Sequence, residues 1–372
     1  MPPKSASSSL AASLRLSLVP GVGPRLRQAL LDRFGTAAAI FEAPEAALQG
    51  TPGIGRKISA AVARARDEID VDAELDMCRQ LGVDLLPRHD AAYPRMLAEI
   101  VDPPEVLFLR GAFEARDSMA VAIVGTRHAT PYGLDQARRL AGNLARCGLT
   151  IVSGLARGID AATHRATLEA GGRTIAVLGG GLARIYPPEH VELAEQVAGH
   201  GAVISEMPPH FRPLAGMFPQ RNRLISGLSL GVIVIEAAQR SGALITARHA
   251  LEQGREVFAL PGRVDNRNSR GCHRLLRDGA KLVETVEDVL EELGPMIEPL
   301  PGDEPHRLRQ PAELNLNEVE RRVLAAIERE QTPIDTVVAT TELAASRVLA
   351  AISTLEIRRL VRRISGQWVA RL

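Results

Sequence analysis

The chain has 372 residues, a formal net charge of +1 and 45% hydrophobic residues. This length predicts one medium-sized domain with smaller satellites, and the hydrophobic content argues against wholesale disorder. A near-neutral total excludes a protein that is uniformly basic. The three cysteines lie far apart, which favours a reducing compartment over a disulfide framework, and they have no metal-binding spacing.

No apolar run is long enough to cross a bilayer, and the first ten residues lack the apolar segment of a signal peptide. We therefore expect a cytoplasmic protein with no membrane partner. The charge is uneven along the chain, because residues 205–281 hold twelve Lys or Arg and six Asp or Glu. A local positive field of this kind attracts phosphates.

The N-terminal region is predicted to be helical. Residues 1–13 are expected to form a disordered tail, and residues 14–81 contain two similar turns, Pro20-Gly21-Val22-Gly23 and Pro52-Gly53-Ile54-Gly55. Each turn precedes a basic amphipathic helix and resembles a helix-hairpin-helix motif, which can present backbone N–H groups to phosphate. A scaffold or assembly role is an equal alternative. Residues 82–118 read as an irregular, proline-rich lead-in.

Residues 119–294 alternate between apolar strands and amphipathic helices. Near-continuous apolar strands separated by helices predict a parallel sheet covered on both faces, so we expect a Rossmann-like, doubly wound α/β core. The predicted strands are Ala120–Val124, Thr150–Val152, Thr174–Leu178, Ala202–Ile204, Gly231–Ile235, Glu256–Leu260 and Lys281–Val283.

The C-terminal part is predicted to be a separate winged helix. Residues 295–313 are proline-rich and indicate a linker, and residues 314–372 contain three helical patterns and a short strand-like end. The candidate recognition helix, residues 343–357, carries a single basic residue, Arg347. Arg358, Arg359, Arg362 and Arg363 follow it. A protein-contact or weak backbone-contact module is therefore favoured over a sequence reader.

The loop after the second core strand suits an anion. Gly154 and Gly158 allow a tight turn and a close backbone approach, and the helix that follows offers free N–H groups. Ser153 adds a hydroxyl and Arg157 a guanidinium, whereas Asp160 fits a helix N-cap better than a catalyst. The alternative is that these glycines serve only as tight turns.

Arginines on neighbouring loops strengthen the phosphate hypothesis. Arg127, which follows Gly125, and Arg221 and Arg223, in the loop after the fourth strand, are predicted to converge at the carboxyl edge of the sheet. Converging cations need an anionic partner, although salt bridges to Glu206 and Glu236 are an alternative. Phe218 is the first candidate for stacking on a base, or an anchor for its loop. Tyr132, Tyr186 and Phe211 are reserves.

The sequence lacks the motifs of dinucleotide-binding proteins, P-loop proteins and HExxH metalloproteases. The first loop reads Gly125-Thr126-Arg127, not the GxGxxG of dinucleotide-binding proteins. The sequence has no HExxH or GxxxxGK[ST] motif, and His164, His249 and His273 have no evident nucleophile or metal partner. We therefore predict no catalytic residue, no cofactor, no metal and no enzymatic activity.

Several motifs together resemble the DNA-processing protein A (DprA, or Smf) family of bacteria. The resemblance covers roughly residues 14–372 and implies a Rossmann-type core that binds and protects single-stranded DNA, loads the RecA recombinase in natural transformation, and forms a homodimer. The motifs include Val124-Gly125-Thr126-Arg127, residues 153–160, Tyr186-Pro187, Ser205-Glu206, residues 218–223, residues 241–246 and Pro261-Gly262.

The resemblance and the loop analysis together give one predicted DNA-binding set. Its members are Gly125, Arg127, Ser153, Gly154, Arg157, Gly158, Phe218, Arg221, Arg223 and Lys281. His273 departs from the family pattern, which has a polar, Asn-like residue there. The recombinase-contacting and dimer surfaces have no motif that can be assigned.

Two other functions compete with this one. Phosphoribohydrolases of the lysine-decarboxylase-like type share a related core, but their Pro-Gly-Gly-x-Gly-Thr-x-x-Glu segment is absent, and residues 236–246 stand in its place. The third hypothesis is a duplex-binding regulator that acts through the winged helix. It predicts that removing the residues after Gly294 destroys DNA binding, whereas the mediator hypothesis predicts that binding survives.

Overall fold

The computed structural model describes residues 4–294, 316–328, 331–357, 360–365 and 367–371. These residues form two compact units, one containing the N-terminal helices and the large sheet and one at the C-terminus. The predicted linker, residues 295–313, lies outside the described residues, as do Arg358 and Arg359.

Six helices form the N-terminal region, and both hairpin turns adopt the same backbone shape. Gly21 and Gly53 each have φ +83°, a conformation that glycine adopts without strain. Val22 and Ile54 at the same turns are buried. The helices are α1 Lys4–Leu18, α2 Pro24–Phe34, α3 Ala37–Glu42, α4 Glu45–Gln49, α5 Arg56–Glu68 and α6 Val71–Gln80.

The prediction of a disordered tail at residues 1–13 is wrong from Lys4 onwards, because α1 begins there. Two leucines explain the helix. Leu14 packs among residues of the sheet layer, and Leu16 packs in the core of the small helical domain, and both are fully buried. This burial on two sides outweighs the modest helix propensity of the serines before it.

A nine-stranded sheet forms the centre of the N-terminal unit. Its order is β1-β2-β6-β5-β4-β3-β7-β8-β9. Strands β3 to β9 are parallel to one another, whereas β2 is antiparallel to both β1 and β6. The strands are β1 Asp84–Pro87, β2 Val106–Gly111, β3 Ala120–Gly125, β4 Thr150–Ser153, β5 Thr174–Leu178, β6 Gly201–Ser205, β7 Gly231–Ile235, β8 Glu256–Ala259 and β9 Lys281–Leu282.

The seven predicted strands are therefore confirmed, but the lead-in at 82–118 is not merely irregular. It supplies β1 and β2, and β2 pairs with β6. Val106, Leu107 and Phe108 are fully buried, so these residues belong to the core rather than to a separate extension.

Helices cover both faces of the sheet, as the near-continuous apolar strands require. In β5, Ile175 and Val177 face one core cluster while Ala176 and Leu178 face another. The helices are α7 Arg95–Ala98, α8 Pro131–Arg146, α9 Ile159–Glu169, α10 Val191–His200, α11 Met217–Gly227, α12 Ala243–Glu252, α13 Arg270–Arg277 and α14 Val286–Leu293.

The strand order places a topological switch between β3 and β7. From β3 the chain adds β4, β5 and β6 on one side, and it then returns to add β7, β8 and β9 on the other side. Loops that leave neighbouring strands in opposite directions open a crevice at the carboxyl ends, where α/β sheets bind ligands. Gly125 ends β3 directly beside Ile235, which ends β7.

The C-terminal unit has the predicted winged-helix elements. They are α15 Glu318–Ala325, β10 Thr332–Pro333, α16 Ile334–Thr341, α17 Ala345–Ile357, β11 Val361–Ser365 and β12 Trp368–Arg371. The sheet order is β10-β12-β11, antiparallel throughout, and Val337, Ile352 and Val369 are fully buried between sheet and helices. Among the described residues no single helix is long and apolar enough to span a membrane. Helices α16 and α17 reach that length and hydropathy only when they are taken together, and they are bent by 114° relative to each other.

Candidate nucleic-acid interface

A cleft of about 630 Å³ lies at the switch point between β3 and β7. The loop after β3 contributes Arg127, α9 contributes Asp160, α11 contributes Phe218 and Arg221, and the loop after β7 contributes Gly242. The cleft thus collects side chains from four separate segments. A narrow recess beside it is lined by Arg127, Gly154, Arg157, Tyr186, Phe218 and Arg221, among others.

Arg221 is the buried cation of this cleft. Its side chain reaches over Gly154, and Nη1 donates a hydrogen bond of 2.5 Å to the carbonyl oxygen of Val177. A Cβ at position 154 would lie 2.0 Å from Nη1, so glycine makes room for the guanidinium. Burial lowers the pKa of Arg221 to about 10, which leaves it charged at neutral pH. Its Nε has no acceptor among the described residues.

Asp160 is a buried carboxylate that interacts with this charge. Burial raises its pKa, and the positive charge of Arg221 opposes that rise. The prediction that Asp160 caps α9 is wrong, because the helix begins at Ile159. Its Oδ2 instead accepts a hydrogen bond of 3.4 Å from the backbone N–H of Ala156 and so holds the loop after β4.

The backbone around the cleft is held in uncommon conformations. Gly158 has φ +77°, and a Cβ there would lie 2.4 Å from the carbonyl oxygen of Thr126. Two residues at strand ends, Leu155 and Glu236, have φ of 57° and 49° although they are not glycine. A backbone of this kind persists only where its surroundings fix it, and such sites cluster at ligand-binding regions.

Two arginine–aromatic pairs form the rim of the recess. The guanidinium carbon of Arg127 lies 5.2 Å from the ring centroid of Phe218, and that of Arg157 lies 5.9 Å from the ring centroid of Tyr186. The two ring centroids are 5.7 Å apart. This arrangement offers guanidinium groups to phosphates and aromatic surfaces to bases at the same rim.

Arg157 is held only loosely. Its Nε donates to Oε1 of Glu189 at 2.5 Å, and both side chains are about half exposed. Exposed ion pairs contribute about 0–1 kcal/mol, so a phosphate can replace the carboxylate at little cost.

Comparison with known proteins assigns the chain to a family. The family described as DNA recombination-mediator protein A matches residues 84–294, more than half of the chain. The chain belongs to the DprA/Smf family. The DprA winged helix domain matches residues 307–367, and a SAM-like helix-hairpin-helix tandem matches residues 13–65.

Individual DprA/Smf relatives resemble the chain over much of its length. Protein Smf of Synechocystis is 38% identical, with 97% of this chain and 98% of the relative covered. The solved structure of DprA from Streptococcus pneumoniae has a TM-score of 0.67 at 37% identity and covers 76% of this chain and 97% of its own. A structure of Helicobacter pylori DprA, reported for its single-stranded DNA binding mode, has a TM-score of 0.50 at 31% identity, covering 57% and 100%.

The structure brings together seven of the ten residues predicted to bind DNA. Gly125, Arg127, Phe218 and Arg221 line the cleft, Gly154 and Arg157 line the recess, and Gly158 packs against the loop that carries Arg127. Ser153 is adjacent but fully buried, and its hydroxyl donates to the carbonyl oxygen of Ile123 at 2.6 Å. The predicted contact of the Ser153 hydroxyl with an anion is therefore corrected to a structural role.

Arg223 and Lys281 do not lie at the cleft. Residues 217–227 form α11 and not the predicted loop, and side chains two residues apart on a helix point in nearly opposite directions. Arg221 therefore faces the cleft and Arg223 faces away from it, and the placement predicted for Arg223 is wrong. Lys281, at the sheet edge in β9, pairs with Glu292 at 3.0 Å and lines neither cavity.

The sequence left open that the arginines predicted for the cleft form salt bridges to Glu206 instead. This alternative is correct for Arg223. Glu206 accepts from Nη2 of Arg223 at 2.9 Å and from Nη1 of Arg27, on α2, at 2.9 Å. Asp102 lies 3.2 Å from Nε of Arg223. All side chains but that of Asp102 are about 5% exposed. This buried cluster joins the helical domain to the sheet domain.

Two residues that line the cleft or the recess were not predicted as principal binding residues. Tyr186 was only a reserve, and it stands beside Phe218 because Tyr186-Pro187 brings the loop after β5 to the recess. Asp160 was predicted to be the N-cap of α9. Its position in a glycine-rich loop, with several arginines on neighbouring loops, could have indicated that it balances their positive charge. The reserve Tyr132 instead donates to the carbonyl oxygen of Pro261, outside the cleft.

Proposed function

We propose that the chain binds single-stranded DNA in the cleft between β3 and β7 and delivers it to the RecA recombinase in the cytoplasm during natural transformation, without covalent chemistry, cofactor or metal. One observation carries the proposal. An exposed guanidinium, Arg127, and a buried one, Arg221, reach one cleft from separate segments beside two aromatic rings. Membership of the recombination-mediator family and the Helicobacter pylori relative's binding mode support it.

The chemistry of the cleft fits a nucleic-acid backbone. Buried and exposed guanidinium groups form strong, charge-assisted hydrogen bonds with phosphate oxygens, and these contacts carry no sequence information. Phe218 and Tyr186 supply ring surfaces on which unpaired bases of any identity can stack. A mediator has to accept strands of any sequence, and this combination allows it to do so.

We further propose that the protein acts as a homodimer. Two clefts on one strand would raise the overall affinity without new contacts, because the second cleft binds at a high effective concentration. A strand held at two places is also protected between them and stays available to the recombinase.

Binding of oligothymidine at increasing salt concentrations tests the proposal. Each neutralised phosphate contributes about −0.7 to the log–log slope for single strands. We expect Arg127→Ala to flatten the slope by about 0.7 and to weaken binding equally for different sequences. Arg79→Ala, which removes an exposed arginine of α6, is the control and should change nothing. An unchanged slope in Arg127→Ala would contradict the proposal.

The delivery step needs its own assay. The wild-type protein should accelerate RecA-dependent strand exchange on protected single strands, and Arg127→Ala should lose that acceleration. Release of free base from nucleoside monophosphates would favour the phosphoribohydrolase hypothesis instead. Loss of single-strand binding after removal of the residues beyond Gly294 would favour the duplex-binding regulator.

A further inference from the structure

A second cavity, of about 330 Å³, lies between α8 and α9. Arg138 of α8, Arg157 of the loop after β4 and Arg165 of α9 all line it. Among its described lining residues, Glu169 is the one acidic side chain. A concave surface with three guanidinium groups and one carboxylate selects an anionic ligand.

The three arginines of this cavity are available to such a ligand. Arg165 is exposed and makes no ion pair or hydrogen bond within the described part of the chain. Arg138 pairs with Asp135 at 2.9 Å, and the two side chains are 55% and 70% exposed. Arg157 has an exposed pair with Glu189 and lies beside the ring of Tyr186. Since exposed pairs are worth about 0–1 kcal/mol, none of these contacts competes strongly with a phosphate.

Arg157 connects this cavity to the DNA cleft. Its side chain lines the recess that also contains Arg127 and Arg221, and it lines the second cavity together with Gly158. A row of guanidinium groups therefore extends from α11, across the loop after β4, to the outer surface of α8 and α9.

We propose that the sugar-phosphate backbone of bound single-stranded DNA leaves the cleft over Arg157 and continues across the second cavity, where its phosphates contact Arg138 and Arg165. This inference rests on the proposed function. The described lining of the second cavity includes no Phe, Tyr or Trp, and its one ring, that of His190, is only 4% exposed, so the contact is to backbone and not to bases. It extends the length of strand that one protomer holds.

Oligothymidines of two lengths distinguish the cavity from the cleft. A strand of about six nucleotides fills the cleft alone, whereas one of about twenty also reaches the second cavity. With the long strand, we expect Arg165→Ala to flatten the log–log salt slope by about 0.7, and a combined change with Arg138→Ala by about 1.4. Both variants should bind the short strand like the wild type.

Arg79→Ala is the matched control, because Arg79 pairs with Asp76 at 3.0 Å in the same i, i+3 arrangement as Arg138 with Asp135. It should leave both slopes unchanged, and melting temperatures should confirm that every variant folds. An equal loss on both strands, or no loss on either, would overturn the inference. A wild-type protein that binds neither strand would instead refute the proposed function itself.

Discussion

Gly154→Ala is a small change that should displace Arg221, the buried cation of the cleft between β3 and β7. The added Cβ would lie 2.0 Å from Nη1 and 2.7 Å from Cζ of Arg221. Real contacts of this kind are never so short, so the guanidinium must move. It has little room, because Arg221 is only 7% exposed and its Nη1 is bound to the carbonyl oxygen of Val177. The backbone at Gly154 has no positive φ that alanine would strain.

The expected cost follows from the interactions that are lost. A hydrogen bond from a charged donor contributes about 1.5–3 kcal/mol, so the free energy of unfolding should fall by roughly that amount. Binding should suffer as well, because one phosphate loses its partner. We expect the log–log salt slope for oligothymidine to flatten by about 0.7.

Chemical denaturation and fluorescence anisotropy measure these two effects. Gly199→Ala is the control, since a Cβ at Gly199 meets nothing within 4 Å. Because alanine favours a helix over glycine, this variant should be at least as stable as the wild type, and it should retain wild-type affinity. If Gly154→Ala bound the strand with unchanged affinity and salt slope, the role of Arg221 as a phosphate ligand would be refuted.

Three other changes test the buried charges and the aromatic platform. Glu206→Gln should lower the free energy of unfolding by about 3–5 kcal/mol, because it removes a negative charge that two buried arginines share. The control Glu252→Gln removes one member of an exposed pair and should change the free energy of unfolding little. Phe218→Leu should weaken single-strand binding by about 1–3 kcal/mol, roughly five- to 150-fold, and should leave the salt slope unchanged. The control variant Phe113→Leu should bind single strands with wild-type affinity. Burial lowers the pKa of His164 to about 3, so the unfolded chain binds one more proton between about pH 6.5 and 3. Stability should therefore fall by about 1.4 kcal/mol per pH unit on acidification through that window, and His164→Asn should remove this component from denaturation curves measured at several pH values.

The parallel core could be predicted from the sequence because its strands are short, apolar and separated by helix-length segments. Thr174–Leu178 and Gly231–Ile235 have the predicted bounds. The antiparallel strands could not be predicted in this way. Val106–Gly111 is preceded by Asp102-Pro103-Pro104, which reads as a loop, and its pairing with β6 depends on a contact almost a hundred residues away.

The placement of the candidate site could be predicted to the extent that its residues follow strands. Arg127 comes directly after β3, so its position follows from the topology alone. Arg221 and Arg223 required the local conformation as well. In a loop both could have faced the ligand, but in α11 only one of them can. The buried partner of Arg223, Glu206, was visible in the sequence as an alternative, but only the fold decides between the two.

A crystal structure with bound oligothymidine tests the central claim most directly. We predict phosphate oxygens within hydrogen-bonding distance of Arg127 and Arg221, and a base stacked on Phe218 or Tyr186. A strand bound only by the hairpin turns at Pro20–Gly23 and Pro52–Gly55, or only by the winged helix, would contradict the claim.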